Sequence, residues 1–241
     1  MKKQIVQVIG IIFIYFILSV FIIASFNIPN SGFEIKNNTP QLSNKQSDNL
    51  EAMVIESSPD IDLNTYRQKY NNQDIIARLE IPNLFNILIT QTSNNDYYLN
   101  HSLNKEKDTK GTEFMDYRNT IHSKQINIYG HNSRTYDLPF RKLENFLDKD
   151  FFNQNKYIIL QTEKERRIYE ISAIKEVNND TEHMNINYHG SKFVSHVSEL
   201  LNNAINKRNL DYDEDSNILI LQTCSYDQDD SYYIIVAIEI E

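Results

Sequence analysis

The spacing of apolar and polar positions changes several times along this chain, and each change marks a different kind of segment. After the charged start Met1-Lys2-Lys3, the residues from Ile5 to about Ala24 are almost all apolar. A membrane-spanning helix needs about 20 consecutive apolar residues, whereas a cleavable signal core has about 7–15. The run fits the span, and no clear small-x-small cleavage site follows it. Lys2 and Lys3 ahead of the run would hold the N-terminus in the cytoplasm. Residues 1–26 are therefore expected to form an uncleaved signal anchor, with everything beyond it outside the cell. From residue 27 to 59 Asn, Ser, Gln and Pro dominate, which predicts a flexible spacer. Residues 60–241 remain as one domain.

Within that domain the period shortens. Ser58-Pro59-Asp60 predicts a helix start with Ser58 or Asp60 as the cap, leading into a short helix from Ile61 to about Tyr70. Strand-like runs follow at Ile75–Ile81, Leu84–Thr90, Thr112–Met115, Gln125–Tyr129, Tyr157–Gln161, Ile168–Val177, Asn217–Leu221 and Tyr232–Ile240. Several alternate in polarity, as in Arg167-Ile168-Tyr169-Glu170-Ile171-Ser172, the mark of half-buried antiparallel strands. Two helices interrupt them, at about Pro139–Leu147 and Lys192–Asn206. In the second, Phe193, Val194, Val197, Leu200, Leu201 and Ile205 recur at helical spacing. The domain is expected to be mostly β with flanking helices, a barrel or a sandwich.

Composition adds two exclusions. A formal net charge of −9 argues against nucleic acid or anionic lipid as a partner of the outer domain. With a single cysteine, Cys224, no internal disulfide is possible. A leftover thiol in an exported chain is an intermolecular bridge or a reactive group. Cys224 follows the apolar run Ile218-Leu219-Ile220-Leu221 and precedes a polar, acidic loop, so it stands at a strand end where substrate can reach it. The local sequence also admits a small buried hydrophobe. A nucleophilic thiol needs a neighbour that favours the thiolate. Of the six histidines, His131 alone is delivered at a strand end, by the turn in Asn127-Ile128-Tyr129-Gly130-His131-Asn132. No set of residues has metal-ligand spacing, and the acidic stretch Asp211–Asp215 reads as solvated surface rather than a calcium site. No cofactor is expected.

Tyr129-Gly130-His131-Asn132 after a strand, then Thr223-Cys224 ahead of one last strand, resembles the sortase family. The segments Asn72–Ala77, Tyr98–His101 and Gly111–Asn119 are similar to its class B branch, and the resemblance runs from about Tyr66 to Glu241. It implies a closed eight-stranded β-barrel with N-terminal helices and one helix before the penultimate strand. It also implies a cysteine transpeptidase. Cys224 would attack a backbone carbonyl in the C-terminal sorting signal of a secreted protein and form a thioester. His131 would protonate the leaving amine and then deprotonate an incoming cell-wall amine. An imidazolium beside the thiol would lower its pKa, and the same ring can switch from acid to base.

One family feature is missing. The family carries an arginine about eight residues after the cysteine, where this chain has Tyr232, and no Lys or Arg follows Arg208. Losing one oxyanion donor typically costs about 2.7–4 kcal/mol. Three outcomes remain open: Tyr232 donates a neutral hydrogen bond instead, Arg134 or Arg118 reaches in from upstream, or turnover is slow or absent. Arg118 otherwise reads as the anchor of a loop through a salt bridge. The Ser225 backbone N–H is a candidate oxyanion donor, and Gln222 stands where the family often has Ser. Asn95 matches a position lining the signal groove. Asp227, Asp229 and Asp230 would disfavour a nearby thiolate and are expected to point outward or to meet substrate. Two rival readings are a sortase-fold module that binds sorting signals without efficient turnover, and an unrelated secreted cysteine protease. The second is disfavoured because papain-like enzymes place Cys before His and usually carry disulfides.

Overall fold

The computed structural model describes residues 61–178, 181–225 and 230–240. The expected anchor and spacer lie outside them. Among the described residues no helix is long and apolar enough to cross a membrane.

Helix α1 spans Leu63–Tyr70 and is capped by Asp62, whose carboxylate accepts from the N–H groups of Asn64 and Thr65. The expected caps Ser58 and Asp60 are outside the described residues. Nine strands follow: β1 Ile75–Ile81, β2 Phe85–Thr90, β3 Phe114–Met115, β4 Gln125–Tyr129, β5 Tyr157–Gln161, β6 Arg166–Val177, β7 Asn206–Lys207, β8 Ile218–Cys224 and β9 Tyr232–Glu239. Their order is β5-β1-β2-β3-β4-β8-β9-β6-β7, and β5 also pairs with β6. That last pairing closes eight strands into a barrel and leaves the two-residue β7 as an appendage on β6. Closure removes the exposed edges that a sandwich would leave.

The main differences from the sequence expectation lie in the helices and at the end of β8. Pro139–Leu147 is a 3₁₀ segment, not an α-helix. Its buried residues Phe140, Leu143 and Phe146 are spaced by three, and a three-residue turn puts all of them on one line against the barrel. A separate helix, α2, follows at Lys149–Gln154. Helix α3 spans Ser191–Leu201 and stops short of residue 206. Asn203 takes the left-handed conformation just past its end, where Asn is tolerated. Strand β8 runs on through Cys224 instead of ending at Leu221.

Strands β4, β8 and β9 are covered on both faces, which is why β8 and β9 read as nearly continuous apolar runs. Successive side chains alternate between the faces. Leu219, Leu221, Ile235, Ala237, Ile126 and Ile128 fill the barrel interior. Ile218, Ile220, Ile234, Val236 and Ile238 face outward under Phe193, Val197, Leu200 and Leu201 of α3. Fully burying one such side chain is worth about 1.5–3 kcal/mol. The outward face of these three strands continues past the cover of α3, and the site lies there.

Candidate active site

Pairing register builds the site row by row. β4 and β8 are parallel, with Asn127 opposite Ile220 and Tyr129 opposite Gln222. β8 and β9 are antiparallel, with Ile220 opposite Val236, Gln222 opposite Ile234 and Cys224 opposite Tyr232. His131 follows Tyr129 by two residues, as Cys224 follows Gln222. Hydrogen bonds hold the extension in place. The Gly130 N–H donates to the Gln222 carbonyl at 3.1 Å. The Thr223 hydroxyl donates to the Gly130 carbonyl at 2.9 Å. Asn132 Nδ2 donates to the Cys224 carbonyl at 2.9 Å and to Glu144 at 2.5 Å. The last row therefore reads His131, Cys224, Tyr232, and all three line one groove of about 330 Å³. Asn95, Leu99, Phe114, Met184 and Gln222 line it too.

Two glycines allow this packing. A Cβ on Gly130 would meet the Phe140 ring at 2.6 Å. Gly111 has φ +64°, and a Cβ there would lie 2.9 Å from Cδ2 of His131 and 2.6 Å from the Tyr98 carbonyl.

The His131 ring is oriented from one side. Its Nε2 lies 2.6 Å from the Leu99 carbonyl. A carbonyl only accepts, so Nε2 carries the proton and Nδ1 is the basic nitrogen of the neutral ring. A base oriented by a third group is the recurring pattern of an activated nucleophile. A backbone carbonyl has no sequence signature, and the sequence reading missed this partner.

The thiol departs from expectation. Cys224 is exposed at the groove, yet desolvation by the surrounding protein pushes its thiol up from the ordinary value, with its own backbone N–H opposing. The expected lowering by an imidazolium is not what the structure shows.

Tyr232 is half-buried directly across from Cys224. Facing pairs on antiparallel strands have Cβ atoms about 4.5–5.5 Å apart. Neither upstream arginine lines the groove. Arg118 donates from Nε and Nη2 to Asp116 at 2.8 and 2.7 Å, the loop anchor expected of it. Arg134 is exposed. The Ser133 hydroxyl accepts from the N–H groups of Thr135 and Tyr136, and this tight turn carries Arg134 into solvent. Ser225 is also turned away. Its N–H donates to the Ser231 carbonyl at 2.8 Å and its hydroxyl to Glu176 at 2.7 Å, so the expected oxyanion donor is already engaged.

Asn95 lines the groove with its carboxamide held from behind. Its Nδ2 donates to Asp116 at 3.1 Å and its Oδ1 accepts from the Tyr117 N–H at 2.9 Å. Burial pushes the Asp116 carboxyl up, but Arg118, Tyr129 and Asn95 outweigh it and hold the group below the usual carboxylate range. Asp230 is exposed, while Asp227 and Asp229 lie outside the described residues. In the acidic stretch, Asp213 accepts from Asp215 and Ser216 of its own turn. Among the described residues no group of His, Cys, Asp and Glu is placed to hold a metal ion.

A sequence profile described as "Sortase domain" matches residues 79–240. Sortase B of Listeria monocytogenes is 28% identical over 162 residues, which span 66% of this chain and 65% of that protein, just under two thirds of its length. The X-ray structure of Clostridium perfringens sortase B has a TM-score of 0.68 at 27% identity and covers 74% of this chain and 100% of that one. A Staphylococcus aureus sortase B–substrate complex, at 18% identity, shares the fold with a TM-score of 0.68 over 82% of this chain and 94% of that one. The profile match takes in every strand that builds the groove and reaches past both His131 and Cys224, so the chain belongs to the sortase family, and the relatives it resembles here are sortase B proteins.

Proposed function

We propose that this chain is a cell-surface cysteine transpeptidase that transfers secreted proteins from a C-terminal sorting signal to a cell-wall amine. The observation that carries the reading is one open groove lined by His131, Cys224 and Tyr232, with Cys224 opposite Tyr232 on the last two strands. Staphylococcus aureus sortase B, whose fold this chain shares, has been solved as a substrate complex. Residues 1–26 would tether the enzyme as a single-pass anchor with the N-terminus in the cytoplasm, and residues 27–59 would lift the barrel off the membrane.

In the first half-reaction His131 Nδ1 takes the Sγ proton as sulfur attacks the scissile carbonyl carbon. The resulting oxyanion accepts a hydrogen bond from the Tyr232 hydroxyl. Collapse breaks the C–N bond, and the imidazolium gives its proton to the departing amine. This leaves a thioester on Cys224. In the second half an incoming amine attacks the thioester carbonyl, His131 removes an amine proton, and the thiol is released as a new amide forms. In this reading attack and proton transfer are coupled, and His131 is a general base and not merely a counter-ion. Water in place of the amine gives hydrolysis.

The test is direct. The protein is incubated with peptides from candidate sorting signals and a wall-peptide amine, and the masses are followed. A thioester on Cys224 that resolves to an amide is expected. Peptide binding without any adduct would replace this reading with that of a binding module, which the lack of an arginine among the described residues lining the groove favours.

A further inference from the structure

His183 has no place in the mechanism above, yet it is buried at 5% exposure beside the groove. It sits in the 3₁₀ turn Thr181–Met184, whose Met184 lines the groove. Its Nε2 lies 2.9 Å from Oε1 of Gln222. An amide oxygen only accepts, so His183 donates. This bond fixes which way the Gln222 carboxamide faces and leaves its two N–H hydrogens as donors. Gln222 lines the groove, two residues before Cys224 on the same face of β8. Among the described residues its Nε2 has no acceptor.

The His183 turn is itself held from beneath. Gln125 Nε2 donates to the His183 carbonyl at 2.8 Å, and Gln125 Oε1 accepts from His196 Nε2 at 2.8 Å. Burial lowers the His196 pKa to about 4, with His183 nearby adding to it, so this ring is neutral at neutral pH. Each member has one orientation compatible with its neighbour, and the chain ends on the Gln222 N–H₂ group.

We infer that Gln222 is the groove's donor to a backbone carbonyl of the bound peptide, and that His183 is the residue that positions it. The inference rests on the peptide-transfer reading for its ligand class. A peptide lying over Gln222 excludes water from this amide, and an acceptor must replace that water. An extended chain presents a carbonyl at every second position on one side, so it can supply one without any particular side chain. Gln222 thereby adds a neutral donor in a groove whose described lining holds no arginine. The contact is made on the ground-state peptide and appears in affinity, apart from turnover.

Binding is read on the full chain in detergent micelles with Cys224→Ala, using the labelled octapeptide that this protein selects from an immobilised octapeptide library. Gln222→Met, similar in length without the donor, weakens binding about tenfold. Gln222→Glu keeps an acceptor for His183 but has no N–H, and it also weakens binding. His183→Phe weakens binding about fivefold in the parent and not at all in the Gln222→Met background, because it acts only through Gln222. His183→Gln, which can donate to Gln222 Oε1, recovers most of the loss. Unchanged binding in Gln222→Met, or an equal effect of His183→Phe in both backgrounds, overturns the inference. If Cys224 of the otherwise unaltered protein forms a thioester while Gln222→Met binds normally, the donor role fails and the transferase reading stands. If Gln222→Met loses affinity and no adduct ever forms, the reverse holds. A library that yields no binder overturns both.

Discussion

Two cavities back onto each other across the segment Gly111–Phe114, and the larger is not the one with the chemistry. The larger, about 540 Å³, lies where Tyr66 and Tyr70 of α1 and Ser102–Asn104 stand over β2. No cysteine or histidine lines it. The smaller, about 330 Å³, holds Cys224, His131 and Tyr232. Size follows from how loosely a helix and a loop cover a sheet. Reactivity follows from backbone register, which brings the ends of three strands to one row. The segment between the cavities belongs to both. Glu113 lines the larger one, and its Cγ would lie 2.8 Å from a Cβ on Gly130, the residue before His131.

The sharpest way to test that contrast is to remove the base from the smaller cavity. His131→Gln should lower the rate of thioester formation by about 10²–10⁴, the usual contribution of a positioned acid–base group. Among the described residues lining the groove His131 is the one histidine. A quenched-flow mass assay that finds the rate within tenfold of the parent would remove His131 from the mechanism.

In the larger cavity the corresponding change is in stability. Burial pushes the Glu113 carboxyl up to about 7, with its own backbone N–H opposing. An unfolded glutamate titrates near 4.5. The folded value is the higher one, so the unfolded state gives up its proton first. Stability linked to Glu113 is fully present below about pH 4.5, falls as pH rises, and is lost by about pH 7. The interval carries at most about 3 kcal/mol. Denaturation of the parent and Glu113→Gln at several pH values should show the parent losing ground between pH 5 and 7 while thioester formation stays within about twofold. Parallel stability profiles would show that the carboxyl ionises freely. A lost thioester rate would show that the two cavities are not separate in function.

What the sequence disclosed follows the same division. The alternation of apolar and polar positions placed the strands to within a few residues, because burial on a pleated face leaves a period of two. It did not choose between barrel and sandwich, since that depends on whether β5 meets β6. His131 and Cys224 were legible because each ends an apolar run beside a polar turn. The partners that orient them were not. The Leu99 carbonyl has no side-chain identity to read. The His183–Gln222 bond joins residues 39 apart in the chain. Arg134 follows His131 by three residues, yet it is exposed and not among the described residues that line the groove. The argument about the thiol from one neighbour also left out desolvation, which raises the Cys224 pKa.

Tyr232 gives the smallest of these effects and the finest test of the rim row. Its backbone faces Cys224 directly, and its ring centroid lies 6.5 Å from that of His183. If its hydroxyl donates to the oxyanion, Tyr232→Phe removes one neutral hydrogen bond and leaves the ring packing intact. The expected loss in thioester formation is about tenfold, toward the upper end for such a bond. Tyr232→Arg puts a charged donor in the same register. Charge-assisted bonds are roughly twice as strong, so it should exceed the parent by about tenfold. The two substitutions thus move the rate in opposite directions from one backbone position, and a mere packing role predicts no gain with Arg. A Phe variant as fast as the parent would show that the phenol is not the donor. Barrier lowering in the groove would then fall to His131 and to binding alone, and the site would be slower than its geometry suggests.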